Sequence, residues 1–341
     1  MKLLVLGGTE FLGRYLVESA LVAGHEVTLF NRGRRNSSLF PDVERIIGDR
    51  RGDLAALAGR RWDAAVDSSG YLPGQVRRMA ERLRDSVDHY TFISTISVYA
   101  EFFLDGTDEA APVAQVSEPE IFTAESFDPP ERSLPGGGYG QSYGGLKALC
   151  EREAELAMPE RTLVVRPGLI IGPHDYSGRY SYWVDRLARG GQVLAPGAPE
   201  NPVRVIDVRD LADWIMQIVR SRGTGVFNAT GRDGMTMREV IEQTALATDS
   251  RSTITWVPEE VLMATGMDPF ESFPLWVPKK HNAVFGVQNN RAIATGLTFR
   301  PLMQTAEAVS EWQRLDRSAV ISPGLDALHE AEILNGFAVN L

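Results

Sequence analysis

Cysteine is nearly absent from this chain. Among 341 residues there is one, Cys150, so no disulfide can close within the chain and no zinc site of several thiolates can form. Such usage fits a reducing compartment. Long apolar runs are missing as well: no stretch reaches the roughly eighteen consecutive apolar residues that mark a membrane span. Positive charge is in deficit, with 35 Lys and Arg against 45 Asp and Glu and a net charge of −10. A field of that sign repels polyanions and argues against nucleic acid or an anionic membrane as partner. No internal repeat and no spacing of metal ligands is found, so no metal is expected. What is present is ordinary globular material, 43% hydrophobic and 23% charged, long enough for one large domain or two intimate ones. At the N-terminus, MKLLVLGGTEFLG, Gly7 and Gly8 arrive too early for a secretory leader. A cytoplasmic location is expected.

Short apolar runs alternate with helical patterns. Lys2–Leu6, Val27–Phe30, Arg45–Ile47, Ala64–Val66, Tyr90–Ser94 and Thr162–Val165 read as strands, and Phe11–Ala23, Pro73–Arg84 and Leu146–Ala157 as helices. That alternation predicts an α/β fold, a parallel sheet covered on both faces. Residues 1–172 form the dinucleotide-binding unit in this reading. Beyond Gly172 the chain turns loop-rich and aromatic, and residues 173–202 and 223–341 are assigned to a smaller substrate-binding domain. Val203–Val219 reads as a strand and helix, so that 203–222 rejoins the main sheet. Phe103–Gly138 is rich in Pro, Gly, Asp and Glu. It is expected to be a long insertion that covers the substrate, with Phe102, Phe103, Phe122 and Phe127 as its few apolar anchors and Gly136–Gly138 as a hinge.

Between the first strand and first helix lies Gly7-Gly8-Thr9-Glu10-Phe11-Leu12-Gly13. Glycines here let the backbone turn tightly and let a pyrophosphate approach the N–H groups of a helix N-terminus. Glu10 occupies the middle position of a GxxGxxG spacing, and its carboxylate must point away from the phosphates. At the end of the second strand, where NAD sites carry an acidic residue for the ribose hydroxyls, stands Asn31-Arg32-Gly33. An amide followed by arginine suits a 2′-phosphate. Arg32 and Arg35 thus point to NADP(H) ahead of NAD(H). Asp49, beside Arg50 after the third strand, can accept from the adenine amino group. Ser68-Ser69-Gly70 ends the fourth strand with small residues that let the cofactor backbone pass.

Tyr143-Gly-Gly-Leu-Lys147 places a phenol and an ammonium one turn apart on a helix face. The lysine can lower the tyrosine pKa, so that the phenol passes a proton near neutral pH. Ser94-Thr95-Ile96-Ser97-Val98-Tyr99, at the end of the fifth strand, offers a third member, Thr95. In this order GGTEFLG, STISVYA, YGGLK and RPGLIIGP resemble the extended short-chain dehydrogenase/reductases, the NAD(P)-dependent epimerase/dehydratase family. The likeness spans roughly Met1 to Asp213, and an atypical branch shares the altered turn and Asn-Arg-Gly. It implies a Rossmann-type doubly wound parallel sheet with a smaller C-terminal substrate-binding domain. It also implies Tyr143 as general acid/base, Lys147 as the residue that holds the nicotinamide ribose, and Thr95 as the hydroxyl orienting the substrate. Pro167, Gly168 and Leu169, after Arg166, resemble the segment beside the nicotinamide. Ile96 and Ser97 stand where the sugar-nucleotide dehydratases carry Asp and Glu, so 4,6-dehydration is not implied. Arg204 sits one position from the arginine that sugar-nucleotide enzymes use for the diphosphate.

Three functions remain open on these residues. The first is an NADP(H)-dependent oxidoreductase acting on a carbonyl or alcohol of a small polar metabolite. The second is a sugar-type epimerase using the same three residues. The third is a non-catalytic RNA-binding protein of the same fold, as in the chloroplast stem-loop RNA-binding proteins of the atypical branch. The charge of −10 and the lack of an aromatic and basic stripe weigh against that third one. Substrate contacts are expected from Tyr99, His174, Tyr182, Trp183, Arg204 and Trp276, with His174 as a candidate second acid/base. The expected partner is a small molecule, and a homodimer is compatible with the family.

Overall fold

The computed structural model describes residues 1–101, 104–127, 138–316 and 323–339. Its first half runs β1 (Lys2–Leu6), α1 (Phe11–Val22), β2 (Glu26–Asn31), β3 (Glu44–Ile47), β4 (Trp62–Asp67), α2 (Pro73–Leu83), β5 (Val87–Ile93), α3 (Glu118–Ser126), α4 (Tyr143–Ala157) and β6 (Thr162–Pro167). There follow β7 (Leu169–Ile171), α5 (Arg179–Ala188), β8 (Gly191–Pro196), β9 (Val205–Asp207), α6 (Val208–Arg220), β10 (Gly225–Ala229), α7 (Met237–Ala247) and β11 (Ser252–Val257). The chain closes with α8 (Glu259–Ala264), α9 (Pro269–Ser272), α10 (Asn290–Ala294), α11 (Leu302–Leu315) and α12 (Ala327–Val339).

Seven parallel strands form the main sheet in the order β3-β2-β1-β4-β5-β6-β10. Strand order reverses between β1 and β4, the point where doubly wound sheets bind ligands at the carboxyl ends of their strands. Both faces are covered, which is why β1 is an unbroken apolar run. Leu3 and Val5 pack with α1 and α6, whereas Leu4 and Leu6 pack with α2 and α4. A second body is built from α5, α7, α11 and the parallel pair β8–β11 around Trp183, Leu187, Val240 and Val309.

The expected division of the chain needs two changes. Residues 205–207 do not rejoin the main sheet: β9 pairs with β7 in a separate two-stranded sheet, and only α6 returns to the main body. The strand that does rejoin is β10, inside the stretch assigned to the substrate domain. The described part of the insertion, residues 104–127, also holds more regular structure than its composition suggested. Ser117 and Glu120 cap α3, with the Glu120 carboxylate accepting from the Ser117 N–H at 2.8 Å. Ala124 is buried with Leu72 and Leu146, the Ala114 N–H donates to the Val98 carbonyl, and Glu109 accepts from the Asn228 N–H at 2.9 Å. Phe122 is 75% exposed and anchors nothing. Phe127 meets Tyr139 edge-on, while Phe102, Phe103 and the proposed hinge at Gly136 and Gly137 lie outside the described residues.

Candidate active site

A cleft of about 590 Å³ opens at the switch point, and the glycine turn forms one end of it. Gly7 and Gly8 hold φ of 105° and 89°, a region that a Cβ disfavours. A Cβ on Gly13 would lie 2.9 Å from the Gly8 nitrogen, so α1 can close on the turn only with glycine there. Two amides brace the turn from behind. The Asn31 side chain donates to the Gly7 carbonyl at 2.8 Å, and Asn36 donates to the Thr9 carbonyl at 2.6 Å. Asn31 is therefore a buttress of the turn, with its oxygen taken by the Gly33 N–H at 2.9 Å. Glu10 precedes α1 without capping it by its side chain, which leaves the N–H groups of the first turn open to an anion. The Glu10 carboxylate is turned to Arg35 at 2.6 Å and is neutralised there. Phe11, at φ 32°, takes a strained conformation at the mouth of this turn.

Beside the ends of β2 and β3, Arg32, Arg35, Asp49 and Arg50 line the cleft. Arg32 is exposed and has no ion pair among the described residues. Arg50 departs from expectation. Its two terminal nitrogens grip Asp67 at 2.9 and 2.6 Å, and Ser69 takes a further bond at 3.2 Å. Asp67 is fully buried. Burial alone would raise its pKa, but Arg50 and the Tyr90 hydroxyl hold it below the usual range. Arg50 thus lines the cleft with its charge already paired to Asp67.

The other end brings together Thr95, Tyr143 and Lys147, with Ser68, Ser69, Pro167, Gly168 and Leu169 along the way. Helix α4 starts here because Gly144 and Gly145 permit it. A Cβ at Gly144 would collide with the Ser97 carbonyl, and one at Gly145 would meet Val116 at 2.6 Å. Lys147 is buried, donates to the carbonyls of Gly70 and Ile93 at 2.6 and 2.7 Å, and lies 4.2 Å above the Phe92 ring. Burial lowers its pKa to about 8. Burial and the neighbouring Tyr71 raise the Tyr143 pKa, opposed by Thr95 and by the Arg179 charge. Thr95 in turn accepts from the Ser97 N–H at 3.1 Å.

Behind the three residues runs a buried polar chain. Ser94 donates to Glu151 at 2.5 Å, Arg166 grips Glu151 at 2.9 and 2.6 Å and donates to Tyr99 at 3.1 Å, and the Tyr99 hydroxyl donates to Asn228 at 2.6 Å. It ties α4 to β5, β6 and β10.

Most of the expected substrate contacts lie elsewhere. Tyr99 belongs to the buried chain just described. His174 is packed between Tyr15, 3.0 Å from its Nδ1, and the Trp312 ring. Burial and Arg14 lower its pKa to about 4, which makes it a neutral packing group. Trp183 is buried with its Nε1 on the Pro274 carbonyl at 2.6 Å, Tyr182 packs edge-on to it, and Trp276 is buried against Phe273. None of these five lines the cleft. Arg204 does line it, but its guanidinium donates to the carbonyls of Gly231, Phe285 and Val287 and to Asn289. Residues that were not assigned to the cofactor or substrate surface, namely Tyr71, Asp175, Tyr176, Ser177 and Arg179, line it instead. The spacing Asp175-Tyr-Ser177-Gly178 carries the signature of an Asx turn, and it was the available signal.

A glycine turn, an open helix end and a Tyr–Lys pair thus share one cleft of a doubly wound sheet. Residues 3–229 match the family described as NAD dependent epimerase/dehydratase, and the chain belongs to that family. It is similar to the chloroplast stem-loop binding protein of 41 kDa b of Arabidopsis thaliana, 23% identical over 254 residues, 69% of this chain and 60% of that protein. The chain therefore spans less than two thirds of that relative's length. It is also similar to 2-alkyl-3-oxoalkanoate reductase of Stenotrophomonas maltophilia, 29% identical over 279 residues, 71% of this chain and 74% of that one. Among solved structures, UDP-glucose 4-epimerase of Thermus thermophilus with NAD superposes at a TM-score of 0.60, 18% identical, over 92% and 99% of the two chains. Human epimerase family protein SDR39U1 with NADPH superposes at 0.59, 21% identical, over 91% and 99%. Among the described residues no helix is long and apolar enough to cross a membrane.

Proposed function

We propose that the chain is an NADP(H)-dependent reductase of a small carbonyl compound, working through Tyr143, Lys147 and Thr95. The observation that carries this reading is their convergence at one end of a cleft whose other end is the glycine turn. When bound, the dinucleotide supplies the hydride. Thr95 holds the substrate carbonyl, and Tyr143, whose pKa burial raises where the sequence had suggested a lowering by Lys147, keeps its phenolic proton at neutral pH and donates it to the carbonyl oxygen. Lys147, whose ammonium is held between the Gly70 and Ile93 carbonyls, would hold the nicotinamide ribose. The match to a 3-oxoalkanoate reductase supports reduction. An epimerase would use the same residues. Arg204, one position from where sugar-nucleotide enzymes carry the arginine for the diphosphate, is engaged with three carbonyls and an amide, and this favours a substrate of another kind.

Arg32 is the residue assigned to the 2′-phosphate, since Arg35 is paired with Glu10. Charge-assisted hydrogen bonds contribute about 1.5–3 kcal/mol. Arg32→Ala should therefore weaken NADPH about ten- to a hundred-fold and change NADH far less. Fluorescence titration with both cofactors checks this. Equal losses would remove Arg32 from cofactor selection.

A further inference from the structure

Where β7 leaves the sheet, the segment 175–179 lines the cleft with polar groups that lack partners. Asp175 is 2% exposed. One of its oxygens accepts from the Ser177 N–H at 2.8 Å, and the other, Oδ2, is buried without a hydrogen bond. The Ser177 hydroxyl is equally buried and equally unsatisfied. A buried polar group left unpaired costs about 1–3 kcal/mol, so these two neighbouring side chains, which also act on each other, call for a further polar partner in the cleft. Helix α5 begins next, after Gly178 at φ 69°, with no side chain capping it. Its first residue, Arg179, is partly exposed, lines the same cleft and makes no ion pair among the described residues. The Arg179 charge acts on both Asp175 and Tyr143. It therefore sits at the catalytic end of the cleft, apart from Arg32 at the end of β2.

Both the guanidinium and the open helix end favour a negative group, and a guanidinium matches a carboxylate with two parallel bonds. Burial raises the Asp175 pKa, and its hydrogen bonds with Ser177 and the Arg179 charge oppose that rise. The rest of the cleft surface includes Phe270, Val277, Val284 and Phe285. Phe270 is half-exposed although large and apolar, as a wall for an apolar ligand would be.

We infer that Arg179, with Ser177, binds the carboxylate of the substrate, which is an oxo acid whose apolar remainder lies on the Phe270, Val277, Val284 and Phe285 wall. The inference rests on reading the cleft as a carbonyl-reductase site. It is tested without turnover, using octanoate and n-octanol as probes that share a chain and differ in charge. Each is titrated calorimetrically into wild type and into the Arg179→Gln and Arg179→Lys variants, both free of cofactor and loaded with NADP⁺. Octanoate should bind wild type more tightly than octanol and lose about ten- to a hundred-fold on Arg179→Gln. Arg179→Lys should restore part of the loss, and octanol and NADP⁺ affinities should stay unchanged. Octanoate binding no better than octanol, or binding indifferent to Arg179→Gln, would overturn the inference. A failure of NADP⁺ to bind wild type would overturn the reductase reading instead, and the cofactor-free titration would still decide the role of Arg179.

Discussion

Tyr143→Phe is expected to lower kcat for carbonyl reduction by about 10²–10⁴-fold, the range ascribed to a positioned general acid, while leaving NADPH affinity within about two-fold. The substitution removes the phenolic oxygen and keeps the ring, so the packing that places α4 against Ser97 and Val116 survives. Lys147 does not depend on the phenol for its position, because its ammonium is held by the Gly70 and Ile93 carbonyls and by the Phe92 ring. Cofactor binding and chemistry should separate cleanly in this variant. The measurement is steady-state NADPH oxidation on the best substrate from a panel of oxo acids and neutral ketones, beside a fluorescence titration of NADPH. Turnover near the wild-type rate would remove Tyr143 from the chemistry. Loss of NADPH binding together with turnover would make it a structural residue.

Glu151→Ala should destabilise the protein by about 3–5 kcal/mol, the cost of leaving one member of a buried ion pair alone. Arg166 is 4% exposed and would keep a single hydrogen bond, to Tyr99, in place of its two-bond grip on Glu151. Ser94 would lose its acceptor at the same time. Because Ser94 precedes Thr95, and Glu151 lies one turn beyond Lys147, the damage reaches the catalytic constellation through its supports. Urea unfolding should show a lower midpoint at unchanged slope. Glu151→Gln, which keeps the shape and an acceptor for Arg166, should cost less. An Ala variant as stable as wild type would mean that the buried chain does not hold α4 in place.

Much of this arrangement was legible in the sequence. The strands could be read because a sheet covered on both faces writes itself as short apolar runs, and Lys2–Leu6 is one. The glycine turn and the Tyr–Lys spacing were legible because backbone clearance and helix periodicity fix residue type locally. What could not be read was what tertiary partners decide. Asn31 and Arg50 line the cleft as expected, but the Gly7 carbonyl and buried Asp67 also take their donors. His174, Trp183 and Trp276 look like site residues on a loop-rich stretch, but a second core around Trp183 and Trp312 absorbs the first two and a cluster with Phe273 absorbs Trp276. Helix α3 was missed although Ser117-Glu-Pro-Glu120 is a capping signature, because Asp, Gly and Pro on either side masked it. Arg179 could not be singled out either. Its importance lies in the absence of a partner, which only the packed structure reveals.

The most direct test of the central claim follows the hydride. Wild-type protein is given NADPH carrying deuterium at C4 of the nicotinamide, on either face, together with the panel of oxo acids and ketones, and the products are examined by mass spectrometry. The account predicts one deuterium in the new C–H bond of an alcohol, from one face of the cofactor only, with stoichiometric NADP⁺. A product that carries no deuterium, or an epimerised substrate with the cofactor returned unchanged, would contradict it.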